Sequence, residues 1–577
     1  MSQPFRVAGA LAAMLLFVSA CAPAPTTGVE PRPAAPRPQR TLVIVTGAEL
    51  PSFASKPLEA LPNPRADYAA LFLNANLVYL NERALPLPYL TEALPELNTD
   101  TWRVFPDGRM ETTYRLKPSL FWHDGQPLTA EDFVFAWRVY SVPEFGVSDR
   151  GGFRSIEQVA AADPRTIVIG WKDRYVLAGQ VGSSEANQQG SALPPLPRHI
   201  LEQPFQERQP GNAFAGLPFW SNEYVGVGPW KLDHREPGSY FEATAFDGFV
   251  FGRPKIDRIR VMYQADTNVI VATMLAGEAH LSGRTLLHGE EGVALEQGWS
   301  SNKGGVVLWG TDIPKGQEIQ QRAEFAVPSQ MATDSRVRQA LISAIDRQTL
   351  TEIVTASRGL YREIFSHANT PNYDEVLRAV PTRYPYDIRR AEDLLREAGF
   401  ARGADDGWLT PSGQRLTLEQ WYLAGATNER DSQIIVDSLR RFGIDASSNV
   451  FSIQRSSLED RVKTSGIFGG SFTLPDQFHS RNIARAENRW AGINRFGHSN
   501  PDLDRFIDAY LVSLDRSERV QNLIQMERIA MEQVAAIPTY WTAVVTAHAA
   551  TLKGVAPILI PEAGEERMMW TWEWAST

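Results

Sequence analysis

The chain has 577 residues, 43% of them hydrophobic and 21% charged, with a formal net charge of −10. This is a globular composition, and its acidic balance without a basic block excludes an electrostatic footprint for nucleic acid. Cys21 is the single cysteine, which excludes an internal disulfide framework and any zinc site built from several thiolates.

Cys21 lies in LLFVSACAPAPTTGVEPRPAAPRPQR, residues 15–40. Upstream, Arg6 precedes an apolar run over 7–20, too short to span a bilayer but right for a signal-peptide core. Downstream, Pro23, Pro25, Pro31, Pro33, Pro36 and Pro38 make an extended spacer rather than a packed core. Val18-Ser19-Ala20-Cys21 resembles the bacterial lipobox, with Val where Leu is usual. The resemblance implies that 1–20 is a signal peptide, that Cys21 becomes a lipidated N-terminus, and that several acyl chains anchor it to a membrane. Nothing further along is apolar enough for a transmembrane helix. The roughly 540 residues beyond the spacer imply two or more cores.

TLVIV, 41–45, is a β-branched run bounded by Gly47 and reads as a buried strand. In WHDGQPLTAEDFVFAWRVY, 122–140, Asp124-Gly125 signals a turn and Thr129 with Asp132 an N-terminal cap. Phe133, Ala136, Trp137 and Tyr140 then recur at helical spacing. DSRVRQALISAIDRQTL, 334–350, reads as one helix with Val337, Leu341, Ala344 and Ile345 on a face. RRAEDLLREAGF, 389–400, is a helix stopping at Gly399. GWLTPSGQRLTLEQWYL, 407–423, reads as a hairpin turning at Pro411-Ser412-Gly413. DSQIIVDSLRRFGIDA, 431–446, is a helix closed by Gly443 and followed by a strand. Alternating strands and helices make the class α/β, and no internal repeat is visible.

Catalytic motifs are missing: no G-x-S-x-G, no H-E-x-x-H and no phosphate-binding G-x-x-x-x-G-K-[ST]. His123-Asp124 invites comparison with a base and its orienting carboxylate, but the adjoining glycine and helix cap favour a turn. Asp405-Asp406-Gly407 lacks the alternating acids of a calcium loop. The nine histidines are scattered, none paired at metal-ligand spacing. No metal, no cofactor and no enzymatic activity are expected.

Several blocks together resemble one family. WHDGQPLTAEDFVFAWRVY is similar to the signature of the extracellular solute-binding proteins of family 5, the oligopeptide, dipeptide and nickel binders of ABC importers. DGRMETTYRLKPSLFW (107–122), GVGPWKL (226–232), PKIDRIRVMYQADTNVIVATMLAGEAHL (254–281), 334–350, 389–400 and IPTYWTAVVTAH (537–548) follow in the family's order. Ala279-His280 departs from the pattern, which has a hydrophobic residue and Asp there. The resemblance implies two lobes of a periplasmic-binding-protein-like fold joined by a hinge, with an extra subdomain in the first. Residues 41–76, 190–281 and 537–577 would form lobe one, 77–189 the subdomain and 282–536 lobe two. It further implies a monomer that encloses ligand by hinge closure and docks on a membrane permease with its ATPase.

VTGAELPSF, 45–53, resembles the loop where peptide-binding members place a Gly-x-Glu, which carries over Gly47 and Glu49. GIFGGSFTLPDQF, 466–478, resembles the strand that pairs with a peptide main chain, which carries over Gly469, Gly470, Ser471, Phe472 and Thr473. From local sequence alone, the glycine pair reads equally as a turn. Peptide-binding members carry an arginine before this segment and an aspartate after it for the peptide's termini. Here Phe468 replaces the first and Asp476 is displaced, while Arg461 upstream is the nearest substitute. Three readings follow: a lipid-anchored peptide receptor of an ABC importer, the same fold binding another solute such as an oligosaccharide, or a secreted hydrolase. The anchor is separately testable. Cys21→Ser should leave the chain soluble or unprocessed with ligand affinity unchanged, and unaltered membrane fractionation and processing would contradict a lipid anchor.

Overall fold

The computed structural model describes residues 41–575, except 51, 57, 59–70, 82–84, 146–150, 182–192, 208–211, 284–285, 371, 453–454, 489, 491 and 558–564. Cys21, the signal segment and the spacer therefore lie outside the described residues.

The strands are β1 (Thr41–Thr46), β2 (Trp102–Val104), β3 (Met110–Arg115), β4 (Ile156–Asp163), β5 (Thr166–Trp171), β6 (Trp230–Glu236), β7 (Tyr240–Ala245) and β8 (Arg258–Tyr263). They continue as β9 (Leu281–Ser282), β10 (Gly305–Ile319), β11 (Leu360–Tyr361), β12 (Thr417–Leu423), β13 (Asp445–Phe451), β14 (Ile467–Gly470) and β15 (Ala536–Ala549). The helices used below are α1 (Ala130–Tyr140), α2 (Thr267–Leu275), α3 (Gly289–Trp299), α4 (Ser335–Ala344), α5 (Arg347–Val354), α6 (Ile388–Glu397), α7 (Ala426–Arg441) and α8 (Arg516–Glu532).

Eleven strands form one sheet in the order β13-β12-β14-β10-β15-β9-β1-β8-β7-β6, with β11 paired to β15 off this path. β10 and β15 are its spine, paired antiparallel from Gly305↔Ala549 to Glu318↔Ala536. Their far ends serve different cores. On the β1 side, Leu42, Ile44, Trp230, Phe241 and Ile259 are continuous with Tyr114, Trp122, Phe133 and Trp171 of the segment carrying α1 and a second sheet, β2-β3-β5-β4. On the β14 side, Ile319, Leu341, Leu350, Leu439, Ile467 and Ile537 form another core. The register shifts at Thr311, Pro314 and Gly316, between the two cores. Pro314 has no N–H to donate, and a bulge breaks the ladder and bends the strand. The break lies where the sheet passes from one core to the other.

Local expectations fare unevenly. Thr129 caps α1, and the Asp132 carboxylate accepts from the Thr129 N–H at 2.8 Å. The single helix expected over 334–350 is two, because Ile345 is extended and Asp346 caps α5 by accepting from Thr349 N. The turn at Pro411-Ser412-Gly413 forms, but its hairpin amounts to the bridge Leu409↔Arg415. β12 leaves it to pair parallel with β13 and β14, because the alternating burial of its side chains is satisfied in the large sheet. α7 begins five residues before the expected 431 and ends before Gly443, whose φ of +90° suits glycine. α3 packs with α2 and the β1-side ends of β10 and β15.

The Gly-x-Gly-Pro turn has a steric reason. A Cβ on Gly226 would lie 2.0 Å from Leu73 O, and one on Gly228 2.3 Å from Asn74 N. His123 locks this turn: its Nδ1 accepts from Gly226 N at 3.1 Å and its Nε2 donates to Gly228 O at 3.1 Å. Burial lowers its pKa to about 4. Asp124 accepts from His199, not His123, at 2.7 Å. The His-Asp dipeptide is a structural brace.

Candidate functional site

Strand direction brings the predicted loops toward one place. β1 is parallel to β9, β9 is antiparallel to β15, and β14 is antiparallel to β10. The C-terminal ends of β1 and β14 therefore point at the Thr311–Gly316 irregularity from opposite sides. Carboxyl ends of strands converging on a crevice are where open α/β sheets place ligands. Gly47 and Glu49 follow β1; Ser471, Phe472 and Thr473 follow β14.

The individual side chains are placed as follows. Glu49 is committed within its own half: Arg235 Nη2 donates to Oε1 at 2.7 Å, and Gly238 N to Oε2 at 2.9 Å. A Cβ on Gly47 would meet Leu286 Cδ1 at 2.9 Å, so that glycine permits close packing of its loop. Gly469 and Gly470 are strand residues, not a turn. Strand β14 is flanked by β12 at Ile467–Gly469 and by β10 at Ile467–Gly470, so no peptide can add at Gly469. Phe472 is 1% exposed, its ring between Phe365 and Phe478. That burial removes its side chain from the crevice. Ser471 and Thr473 are exposed, the only two of the five with side chains open to ligand. Gln477 braces them, donating to Ser471 O at 3.2 Å and accepting from Thr473 N at 2.7 Å. Asp476 begins a short 3-10 turn, and its side chain lies outside the described residues.

Arg461 sits beneath β14. Its guanidinium lies 3.7 Å from Glu318 Oε2 on β10 and stacks 4.6 Å from the Phe468 ring. Burial first, and then the charge of Arg495, lower the Arg461 pKa to about 10 against the opposing pull of Glu318. The same burial raises the Glu318 carboxyl against the pull of Arg495 and Arg461. Glu318 Oε2 has no hydrogen-bond partner among the described residues, and a Cβ on Gly470 would meet it at 2.8 Å. Glycine there leaves room for the carboxylate. A cavity of about 20 Å³, room for one water, adjoins Glu318, Arg495 and His498.

Sequence reasoning missed the polar residues on the spine itself. Thr311, Lys315, Gln317 and Glu318 interrupt a strand otherwise suited to burial, which was the available signal. Gln317 Oε1 accepts from Gln420 at 3.0 Å. On α7, Asp431 is 5% exposed, 3.5 Å from Tyr540 Oη of β15, with Lys315 of β10 also acting on its charge. Among the described residues, no cluster of His, Cys, Asp and Glu is arranged to hold a metal.

Comparison with known proteins adds a family. The family described as bacterial extracellular solute-binding proteins, family 5 Middle, matches residues 92–471. The oligopeptide-binding protein AppA of Bacillus subtilis is 23% identical over 548 residues, covering 91% of this chain and 90% of AppA. The solved structure of AppA with a nonapeptide superposes with a TM-score of 0.66 at 19% identity, covering 94% of this chain and 100% of that one. NikZ of Campylobacter jejuni with Ni(L-His) gives 0.69 at 19% identity, covering 93% and 100%. At such identities the structures establish a shared fold.

Asp431 supplies a pH test. Burial raises its carboxyl to about 6. The neutral form's stabilisation is fully present below the unfolded pKa and is lost as pH rises through 6. Ionising it by pH 8 costs up to about 3 kcal/mol. Asp431→Asn should be about 2–3 kcal/mol more stable than the native chain at pH 8 and within about 1 kcal/mol of it at pH 4 in urea titrations. An equal difference at both pH values would contradict this.

Proposed function

The chain belongs to family 5 of the bacterial extracellular solute-binding proteins, and we propose that it captures an oligopeptide-like ligand between its two lobes and delivers it to an ABC permease. Members of this family are extracellular or periplasmic and bind solutes for import; they are not catalysts, which as a family property disfavours the hydrolase reading. One observation carries the proposal: the loops after β1 and β14 approach the hinge of a shared sheet from opposite sides. Closing at the hinge brings those loops onto a solute, and the closed population grows by the solute's differential affinity for it.

The remaining roles follow from this reading. Cys21 is the lipid tether and 22–40 the leash that keeps the binder concentrated at its transporter. The receptor acts as a monomer in the cell envelope, outside the cytoplasmic membrane. Ser471 and Thr473 offer their hydroxyls to the ligand, the Ser471 carbonyl and the Thr473 N–H being held by Gln477, and Gly469 and Gly470 set the approach of the strand behind them. The nickel complex of NikZ keeps open a solute other than a peptide.

The charges are already engaged: Glu49 holds Arg235 and Gly238, and Arg461 lies buried beside Glu318. Neither is set to grip a peptide terminus, so uncharged contacts carry the affinity. A peptide recovered from the purified protein, resynthesised with acetylated and amidated ends, should bind within about tenfold of its free form, under 1.4 kcal/mol. Calorimetry on the matched pair decides this. A loss of about a hundredfold, the size of a buried charge-assisted bond, would show that a fixed charge holds a terminus.

A further inference from the structure

Arg362 follows β11 and is 1% exposed. Its N–H donates to Thr539 O of β15 at 3.1 Å. Nη2 donates to Phe365 O and to Phe472 O, both at 2.9 Å, and Nη1 to Lys315 O at 3.4 Å. The guanidinium packs 4.8 Å from the Trp541 ring and 4.9 Å from that of Phe472. Glu527 on α8 is the carboxylate whose charge it feels, but Glu527 accepts from Phe365 N, Ser366 N and Ser366 Oγ instead. Nε has no partner among the described residues. Burying a guanidinium without a paired carboxylate costs several kcal/mol. Packing does not account for that cost, since an apolar side chain of similar volume fills such a space more cheaply.

The carbonyls it holds belong to separate segments. Lys315 lies between Pro314 and Gly316, inside the break of the β10–β15 ladder where the sheet bends. Phe472 is the centre of the loop after β14. A single rigid group therefore grips the broken stretch of the ladder and the loop after β14. Because the guanidinium is planar, its donors keep a fixed geometry, and the two carbonyls cannot move independently while both are bound. We propose that Arg362 is the positioning residue that couples hinge bending to the ligand-facing loop Ser471–Thr473. The coupling rests on the reading above for its ligand, and on the geometry of this one side chain for its mechanism.

Hydrogen exchange on the full chain, followed by mass spectrometry, tests this without ligand. In Arg362→Met, segments 466–478 and 310–318 should exchange at least about tenfold faster, the loss of one net hydrogen bond each, while β12 and β13 keep native rates. Arg362→Lys keeps the charge but not the fork, so one of the two segments should loosen and the other stay protected. Native rates in both segments for both variants would overturn the coupling. So would a uniform acceleration across β12, β13 and α7, the mark of a merely structural residue. Should the Met variant fail to fold, the Lys variant carries the same two outcomes. A second arm adds a synthetic nonapeptide pool. It should slow exchange of 466–478 in the native chain and bind about tenfold more weakly to Arg362→Met. A native chain whose loop ignores the pool would fail the peptide reading, whereas unchanged exchange in the variants fails the coupling.

Discussion

The pairing of β10 with β15 is the constraint on which the rest of the molecule depends. Two long strands, hydrogen-bonded from Gly305↔Ala549 to Glu318↔Ala536, cross from one hydrophobic core to the other. All other strands of the large sheet are added outward from this pair. Thirteen of the fourteen residues of β15 are buried, as expected for a strand covered on both faces. The ladder is regular except at the two shifts that flank Pro314.

The same pair determines where chemistry gathers. Polar side chains inside a covered sheet are expensive unless satisfied, and here partly satisfied ones cluster beside the bend. Gln317 accepts from Gln420, Tyr540 donates to Asp431, and Glu318 lies 3.7 Å from Arg461 with its Oε2 unpaired among the described residues. His367 adds to them, its Nε2 3.0 Å from Thr311 Oγ1 and its ring 4.2 Å from that of Trp541. Asn369 N donates to its Nδ1, so the neutral ring carries its proton on Nε2, and burial beside Arg362 holds its pKa at about 4. Hydrogen bonds of this kind rearrange between discrete states rather than along a continuum.

Much of the fold was legible. Thr129 with Asp132 announced a helix start, Gly399 and Gly443 announced helix ends, and the β-branched run from Thr41 announced a central strand. These signals are local, and local hydrogen bonding or φ preference enforces them. What failed was decided at a distance. β12 looked like half of a hairpin because its turn is real, yet its partners β13 and β14 come later in the chain. Glu49 looked like a residue of the ligand loop, with no sign of Arg235, its partner, which lies 186 residues away. Gly469 and Gly470 looked like an open edge because a sequence does not reveal which strands flank which. Arg362, Glu318 and Asp431 had no motif at all, since their roles come from burial between segments remote in sequence.

Native mass spectrometry of the full chain, purified from its own host without added ligand, tests the central claim most directly. A binding protein that closes on peptide should carry a bound mass, released on denaturation and sequenced as peptide. A chain bearing no bound mass when isolated from peptide-rich growth medium, or bearing a saccharide or a metal chelate instead, would contradict the account.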